Sequence, residues 1–522
     1  MQSIKQSEKD EEDLHALLPN NPFVPPKGGV CHINRLPSEL ISRIFEVGFE
    51  DDDESDDEQG IMPDFWESSG DDEDDEEITD DVTESHPFPP FPIVVSCVCH
   101  LWRSISFSTP SLWTTIVVTP VAYAPYPLEW THLKRSKNVP VDIYVKCQLE
   151  GYEKYVDRGP SDVDLIYLFG MLLFFHIHRW RTMEVSVSKY HHMDLFLDAF
   201  SHPSTPAAPQ LTTLALYHYH EDTEDLDDVE HPGMSKHPTL FGGSAPLLTT
   251  LILYGVHVDW NQPWIAAASN LTVLHLAFHP QAVRPSWTQF TAILRGASSL
   301  EKLSLCQSGP SGDPSEWFIE PIPGGPADLN APVHLARVTD LVLGSHPQVH
   351  AIGLLRKLHL PALKNLVLTF ENGDYTDLVH ELARPATSLS PSQEQPRSLL
   401  SRLENLHLAN LPCSSECAET LYGELQNLTS LNIRFMNVPS EFLDILCTPC
   451  RLSGQGDVWL PRLQTLRVSE TDGYTLEKVI KYRKDAGVPL SALYVEKWSE
   501  VYEEEAGRLK ENVETFEFFD DS

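Results

Sequence analysis

Four cysteines in two pairs are the side chains best spaced for chemistry. Cys413-x3-Cys417 and Cys447-x2-Cys450 have the thiolate spacing from which zinc sites are built, and about thirty residues separate the pairs. Nothing local demands a metal, and both pairs fall in loops after strand-like segments. They read as unpaired thiols, and neither a metal nor a cofactor is expected. His218, His220 and His231 surround the acidic run Glu221-Asp222-Thr223-Glu224-Asp225, which reads as a solvated loop rather than an ion site. The chain has no phosphate-binding glycine loop, no Gly-x-Ser-x-Gly elbow and no His-Glu-x-x-His helix, so no catalytic activity is expected. A different set of residues suits binding. Tyr217, Tyr254, His275, Lys302, His407, Arg434 and Arg467 alternate with apolar residues, so they leave short strands on the side away from the core. Tyrosine and arginine on such a face are hot-spot residue types, although any one of them can equally be plain solvated surface.

The elements that must position these residues recur. Leu-x-x-Leu-x-Leu or a close variant occurs at Leu211-Leu214-Leu216, Leu248-Leu251-Leu253, Leu271-Leu274-Leu276, Leu300-Leu303-Leu305 and Val338-Leu341-Leu343. It continues at Leu363-Leu366-Leu368, Leu403-Leu406-Leu408, Leu428-Leu431-Ile433, Leu463-Leu466-Val468 and Leu490-Leu493-Val495. The last two apolar residues of each match are two apart, so both point inward from a strand. Helix candidates lie between the strands, including Trp287 to Leu294 and Ala418 to Leu425, and longer spacings hold loops at Glu221 to Lys236, Gln307 to Leu329 and Arg384 to Arg397. Each unit buries its apolar side only by stacking on its neighbours. Successive matches start 23 to 40 residues apart, and the pattern resembles that of leucine-rich repeats with insertions. It lacks a consistent asparagine after the last leucine, so an irregular solenoid of strand–loop–helix repeats is expected.

Ahead of the repeats lie two amphipathic segments. Leu36, Leu40, Ile44 and Phe45 recur at helical spacing behind Pro37, and read as one apolar stripe on a short helix. Val95 to Trp113 again carries apolar residues at helical spacing, with Cys97 and Cys99 reading as small core residues. Leu36-Pro37-x-Glu39-Leu40 running into Ile44-Phe45, then Val98-Cys99-x2-Trp102-Arg103 and Thr109-Pro110-x-Leu112-Trp113, together resemble an F-box. The resemblance implies a small helical domain that docks on the Skp-type subunit of a ubiquitin ligase and, through it, on a cullin. The repeats would then hold an unknown protein for ubiquitination. Leu36, Pro37, Leu40, Ile44, Phe45, Val98 and Trp102 would form or support the Skp-binding surface. One departure from the family is an acidic insertion, roughly residues 50–86, between the two halves; no Lys or Arg occurs between Arg43 and Arg103.

These readings divide the 522 residues into an N-terminal disordered stretch (1–30), an F-box-like helical domain with its disordered insertion (31–118), and a connecting segment with the first repeat elements (119–200). The repeat array (201–498) and an acidic tail (499–522) that caps the last repeat complete the chain. The fold class is therefore α/β. A net charge of −40 argues against nucleic acid or an anionic membrane as the partner. The run Leu165 to Phe175 is too short to span a bilayer and reads as a buried helix. No signal peptide is visible, and nine scattered cysteines suit a reducing compartment, cytoplasmic or nuclear. Two other readings stay open: a leucine-rich-repeat scaffold with no link to ubiquitin, and a binder of basic proteins acting through its acidic tract.

Overall fold

The computed structural model describes residues 32–54, 90–119, 125–147, 161–202, 204–218, 238–266, 268–318, 330–370, 373–385, 398–434, 438–450 and 458–519. The expected disordered N-terminus and most of the acidic insertion, with His220 and His231, lie outside these residues. The chain forms two compact units, one comprising the residues up to Thr114 with His132–Val139, the other the remainder. Among the described residues no helix is long and apolar enough to cross a membrane.

The first unit is helical. α1 (Ser38–Glu54), α2 (Phe91–Val98) and α3 (His100–Ser108) are followed by a tight turn at Pro110–Trp113. Ile41, Phe45, Val95, Ile105, Leu112 and Trp113 make its core. The last part of α4 (Pro127–Arg135) belongs to this unit. There the His132 ring meets the edge of Trp113 at 5.0 Å. The Arg135 guanidinium lies 3.6 Å from the centre of the Phe107 ring and 4.2 Å from that of Trp113, a cation–π clasp.

The second unit is built on one parallel sheet of 14 strands whose spatial order is their chain order. These are β1 (Thr115–Val118), β2 (Val141–Cys147), β3 (Trp180–Val187), β4 (Thr213–His218), β5 (Thr250–Tyr254), β6 (Val273–Ala277) and β7 (Lys302–Cys306). Then come β8 (Asp340–Gly344), β9 (Asn365–Thr369), β10 (Asn405–Ala409), β11 (Ser430–Arg434), β12 (Thr465–Ser469), β13 (Ala492–Glu496) and β14 (Thr515–Phe519). The sheet extends past both ends of the 201–498 array expected from the leucine pattern. In β1 to β3 the inward positions are held by Ile116, Val118, Ile143, Val145, Met183 and Val185, so these strands carry the fold without the leucine signature. At the other end, helix-forming Glu503–Lys510 is followed by a strand that the acidic tail conceals.

Parallel pairing runs in register through the leucines. Leu214, Leu251, Leu274, Leu303 and Leu341 are successive partners, as are Leu366, Leu406, Leu431, Leu466 and Leu493 further along. All ten are buried. Strand entry is tied by a second ladder, in which Thr249, Thr272, Glu301, Thr339 and Lys364 each donate a backbone N–H to the residue at the same place one strand back. At the strand exits Gly255, Phe278, Gln307, Ser345, Asn410 and Glu470 take left-handed backbone conformations, which turns the chain sharply away from the sheet. The backbone N–H groups of Gly255, Phe278 and Gln307 donate to the last carbonyl of the next strand at 2.8 Å. At Gly255 (φ +63°) a Cβ would stand 2.9 Å from the His218 carbonyl oxygen.

Helices and turns return the chain between strands. The apolar run after Asp162 is helical as expected, but its winding changes: α5 (Asp162–Tyr167) widens to a π-helical stretch at Leu168–Leu173 and tightens at Phe174–Arg179. It packs with α6 (Tyr190–Ser201), whose Phe196 and Phe200 meet Phe169 at 5.5 and 6.3 Å. Buried polar groups seal the loops. Arg483, fully buried in the helix Gly473–Asp485, donates to the carbonyls of Trp459, Leu460 and Leu463 at 3.0–3.2 Å. His279 Nε2 donates to the Val256 carbonyl at 2.8 Å, so its Nδ1 accepts from the Ser308 hydroxyl at 2.7 Å.

Two measurements test this packing. Gly255→Ala combines an unfavourable φ with a backbone clash and is expected to cost about 1–3 kcal/mol, read as a lower thermal midpoint; an unchanged midpoint would show that the corner relaxes freely. Burial pushes His279 and His346 down to about 3, whereas both titrate near 6.5 when unfolded. Below pH 6.5 the unfolded chain therefore binds protons that the folded chain refuses. The stability held by each imidazole is complete above that pH and is lost toward pH 3, at up to about 1.4 kcal/mol per pH unit. Urea unfolding between pH 7.5 and 5 should show a shallower pH dependence for His279→Gln than for the wild type.

Candidate docking surfaces

The helical unit is assembled from segments that the sequence keeps far apart. α1 buries Ile41 and Phe45, while α2 contributes Val95 and α3 Ile105. Phe45 and Trp102 rings meet at 4.9 Å and 60°, and the Trp102 indole N–H donates to Asn34 Oδ1 at 3.0 Å. Two further side-chain bonds tie α1 to the turn that leaves α3: Ser42 to Thr109 at 3.0 Å, and the Ser111 hydroxyl donating to Glu46 at 2.7 Å. Gly48 leaves room for the Phe91 ring, which a Cβ would meet at 3.0 Å. Arg103 Nε donates to the Ser96 carbonyl at 2.9 Å and so pins α3 to the end of α2. The segments Leu36–Phe45 and Val95–Arg103 thus share one core.

The expected single stripe on α1 is two stripes. Ile41 and Phe45, one turn apart, face inward with Phe49 packed against the same core. Leu40, Ile44 and Val47 on another side of the helix, and Leu36 just ahead of it, remain 37–53 % exposed. Ile44 and Phe45 are neighbours in sequence and so seem to share a stripe, although a helix sets adjacent side chains about 100° apart. Of the seven residues assigned to Skp docking, Leu36, Pro37, Leu40, Ile44 and Val98 are exposed, Trp102 is half-buried and Phe45 belongs to the core. Val47, Val94 and Leu101 are exposed apolar residues that the motif does not include. Cys97 and Cys99 are not core residues: Cys97 is exposed and Cys99 half-buried. Cys99 instead caps α3, its sulfur accepting from the Trp102 N–H at 3.5 Å. Val95 and Ser96 take the inward places.

On the sheet, the seven outward candidates fall into two groups. Tyr217 and Tyr254 are register partners with ring centres 6.3 Å apart, and Tyr254 packs on Phe278 at 4.8 Å. Tyr254 and His275 are buried at 4 % and 2 % exposure and are corrected from surface to interior residues. Tyr217 is half-buried, and burial with the nearby Glu184 holds its phenol well above the usual range. Lys302 is exposed at the entry of β7. Around them this part of the outward face is apolar and closed, with Ala215, Ala277 and Cys306 buried. Alternation identifies the face a residue occupies, but not what its neighbours cover.

Over β10 to β13 the outward face is polar and open. His407, Asn432, Arg467 and Tyr494 are successive register partners in one row, all half-buried. Arg434 stands in the next row, beside Ala409 and Ser469. The Arg467 guanidinium lies 3.6 Å from the centre of the Phe519 ring, a cation–π contact that fixes the charge on this face. Three expected residues, His407, Arg434 and Arg467, are therefore brought together, with Asn432 and Tyr494 added by the register. Past the strand ends, Tyr474, Trp498 and Tyr502 are 63–82 % exposed. They lie outside the leucine pattern, so spacing offered no signal for them.

Among the described residues the cysteine pairs join no group of three or more metal-ligating side chains. Cys417, buried at the start of the helix Cys417–Glu424, accepts a hydrogen bond from Cys413 that draws its thiol down to about 6, against the opposing effect of burial; Cys413 is correspondingly raised. His218 is buried against Tyr190, with ring centres 5.0 Å apart, and serves the core. No known protein family matches the chain, and no curated protein matches it.

The two stripes of α1 predict opposite mutational outcomes. Phe45→Ala should cost about 3–5 kcal/mol and speed amide exchange throughout α1 to α3. Leu40→Ala, on the exposed stripe, should change stability by no more than about 0.5 kcal/mol. Equal effects of the two substitutions would contradict the division.

Proposed function

We propose that the chain is the substrate-recognition adaptor of a Skp–cullin–F-box type ubiquitin ligase, with a leucine-rich-repeat array as its substrate-holding part. One observation carries the reading: the two F-box-like segments, separated by a long acidic stretch of sequence, share one core and still leave Leu36, Leu40, Ile44 and Val98 outside it. A helical domain whose core is satisfied needs no further apolar residues, and exposed apolar side chains recurring on one helix side mark protein contact sites. The partner that the motif implies is a Skp-type subunit. The adaptor itself performs no chemistry; it raises the local concentration of a lysine-bearing protein beside a ubiquitin-conjugating enzyme.

The open polar stretch of the sheet supports the substrate half of this reading. His407, Asn432, Arg467 and Tyr494 in one row, with Arg434 beside them, include tyrosine and arginine, residue types enriched in protein-binding hot spots. The part around Tyr254 and His275 is closed, with both side chains buried. An adaptor of this kind works in the cytoplasm or nucleus.

The test is capture of a Skp-type subunit and a cullin by the full chain. Leu40→Asp with Ile44→Asp should abolish capture while the far-UV circular dichroism stays unchanged, because both side chains are exposed. Deleting residues 55–86 should preserve capture, since α1 ends at Glu54 and α2 begins at Phe91. If the wild-type chain brings down neither subunit, the adaptor reading fails.

A further inference from the structure

A cluster of ligating side chains lies where α5 and α6 begin. Asp162 is the first residue of α5, and His191 and His192 fall in the first turn of α6. Ser161 and Asp164 satisfy each other in the capping box of α5, the Ser161 hydroxyl donating to Asp164 at 2.7 Å. Asp162 therefore has no capping duty, and its carboxylate turns to α6. His191 Nε2 stands 3.2 Å from Asp162 Oδ1, and His192 Nε2 stands 3.9 Å from the same oxygen. Donor atoms of all three residues lie within 4.8 Å of one another.

Two details go beyond a surface ion pair. Consecutive residues on a helix point in different directions, yet the His191 and His192 rings converge to 4.1 Å between centres. His192 is also 7 % exposed with an unsatisfied Nδ1, while its Nε2, at 3.9 Å from the carboxylate, is beyond hydrogen-bond reach. One histidine suffices to pair with Asp162. The second is a buried imidazole whose Nε2 faces the same carboxylate oxygen without bonding it, so two ring nitrogens converge on one oxygen.

We propose that Asp162, His191 and His192 bind a divalent transition-metal ion, with Zn2+ the best match, that ties α5 to α6. Ligand bonds of about 2.0–2.1 Å in a tetrahedral site place neighbouring donor atoms about 3.3 Å apart. The two spacings to Asp162, 3.2 and 3.9 Å, approach that, and with all three donor atoms within 4.8 Å of one another side-chain adjustment closes the rest. Two imidazole nitrogens and one carboxylate oxygen suit zinc rather than Ca2+ or Mg2+, which require shells of oxygen ligands. Asp162 and His191 are exposed, so water completes the coordination. This site stands independently of the adaptor reading.

The test uses the full chain stripped of metal with a chelator, then titrated with Zn2+ against a chromophoric zinc indicator. The wild type should hold one more equivalent than His191→Ala or Asp162→Asn, or bind that equivalent at least tenfold more tightly. Both altered side chains are exposed, and far-UV circular dichroism checks that the fold persists. Co2+ in place of Zn2+ should give a visible band of nitrogen and oxygen ligation that both variants lose, without the near-ultraviolet thiolate band that cysteine ligation would add. Zinc should also raise the thermal midpoint of the wild type more than that of His191→Ala. Equal stoichiometry and affinity in the wild type and both variants would overturn the proposal.

Discussion

Strand register is the constraint on which the second unit depends. Side chains alternate across a strand, so a slip of one residue would carry every inward leucine to the outside. Ten leucines in one uninterrupted run of partners, from Leu214 through Leu341 and Leu366 to Leu493, leave no room for such a slip. The same alignment continues past the leucines, with Met183 before them and Phe516 after. Insertions between strands are absorbed outside this alignment. Loop closure becomes only slowly costlier with length, which is why spacings from 23 to 40 residues coexist with one sheet. The left-handed corners at Gly255, Phe278, Gln307, Ser345, Asn410 and Glu470 turn six of the strand ends at the same place and keep the next unit in step.

The helical unit meets a comparable problem by different means. Its parts are separated by residues 55–89 in sequence, so the contacts that close it are all long-range. Ile41 and Phe45 supply the apolar half of that closure, and the Ser42–Thr109 and Ser111–Glu46 bonds supply direction. The core is small and uses only one side of α1. What remains on the other side is apolar as well, which an isolated domain has no use for.

Much of this architecture was legible in the sequence. The two-residue alternation of leucines marked ten strands because inward positions in a parallel stack all meet the same kind of neighbour. β1 to β3 were harder to assign to the array, since their inward residues are isoleucine, valine and methionine at uneven spacing. β14 was hidden because Phe516 and Phe518 sit among acidic residues. The division of α1 turned on Ile41, a residue absent from the motif that drew attention to its neighbours. Burial of outward residues was the least legible feature. Tyr254 is covered by Phe278, a contact set by the left-handed corner after β6 rather than by the spacing within any strand. The convergence of Asp162 with His191 and His192 joins helices whose first residues are 28 positions apart, and only the fold brings them together.

A sheet whose spatial order is its chain order also has a mechanical character. Load applied along the chain at the β14 end bears first on a strand with a single neighbour, and each release transfers the load to the next. The stack should therefore yield in a sequence of separate steps rather than in one rupture. Each freed unit of 23 to 40 residues lengthens the tether by roughly 80 to 140 Å. A chain threaded into a narrow pore from that end would meet a graded series of modest barriers instead of one wall.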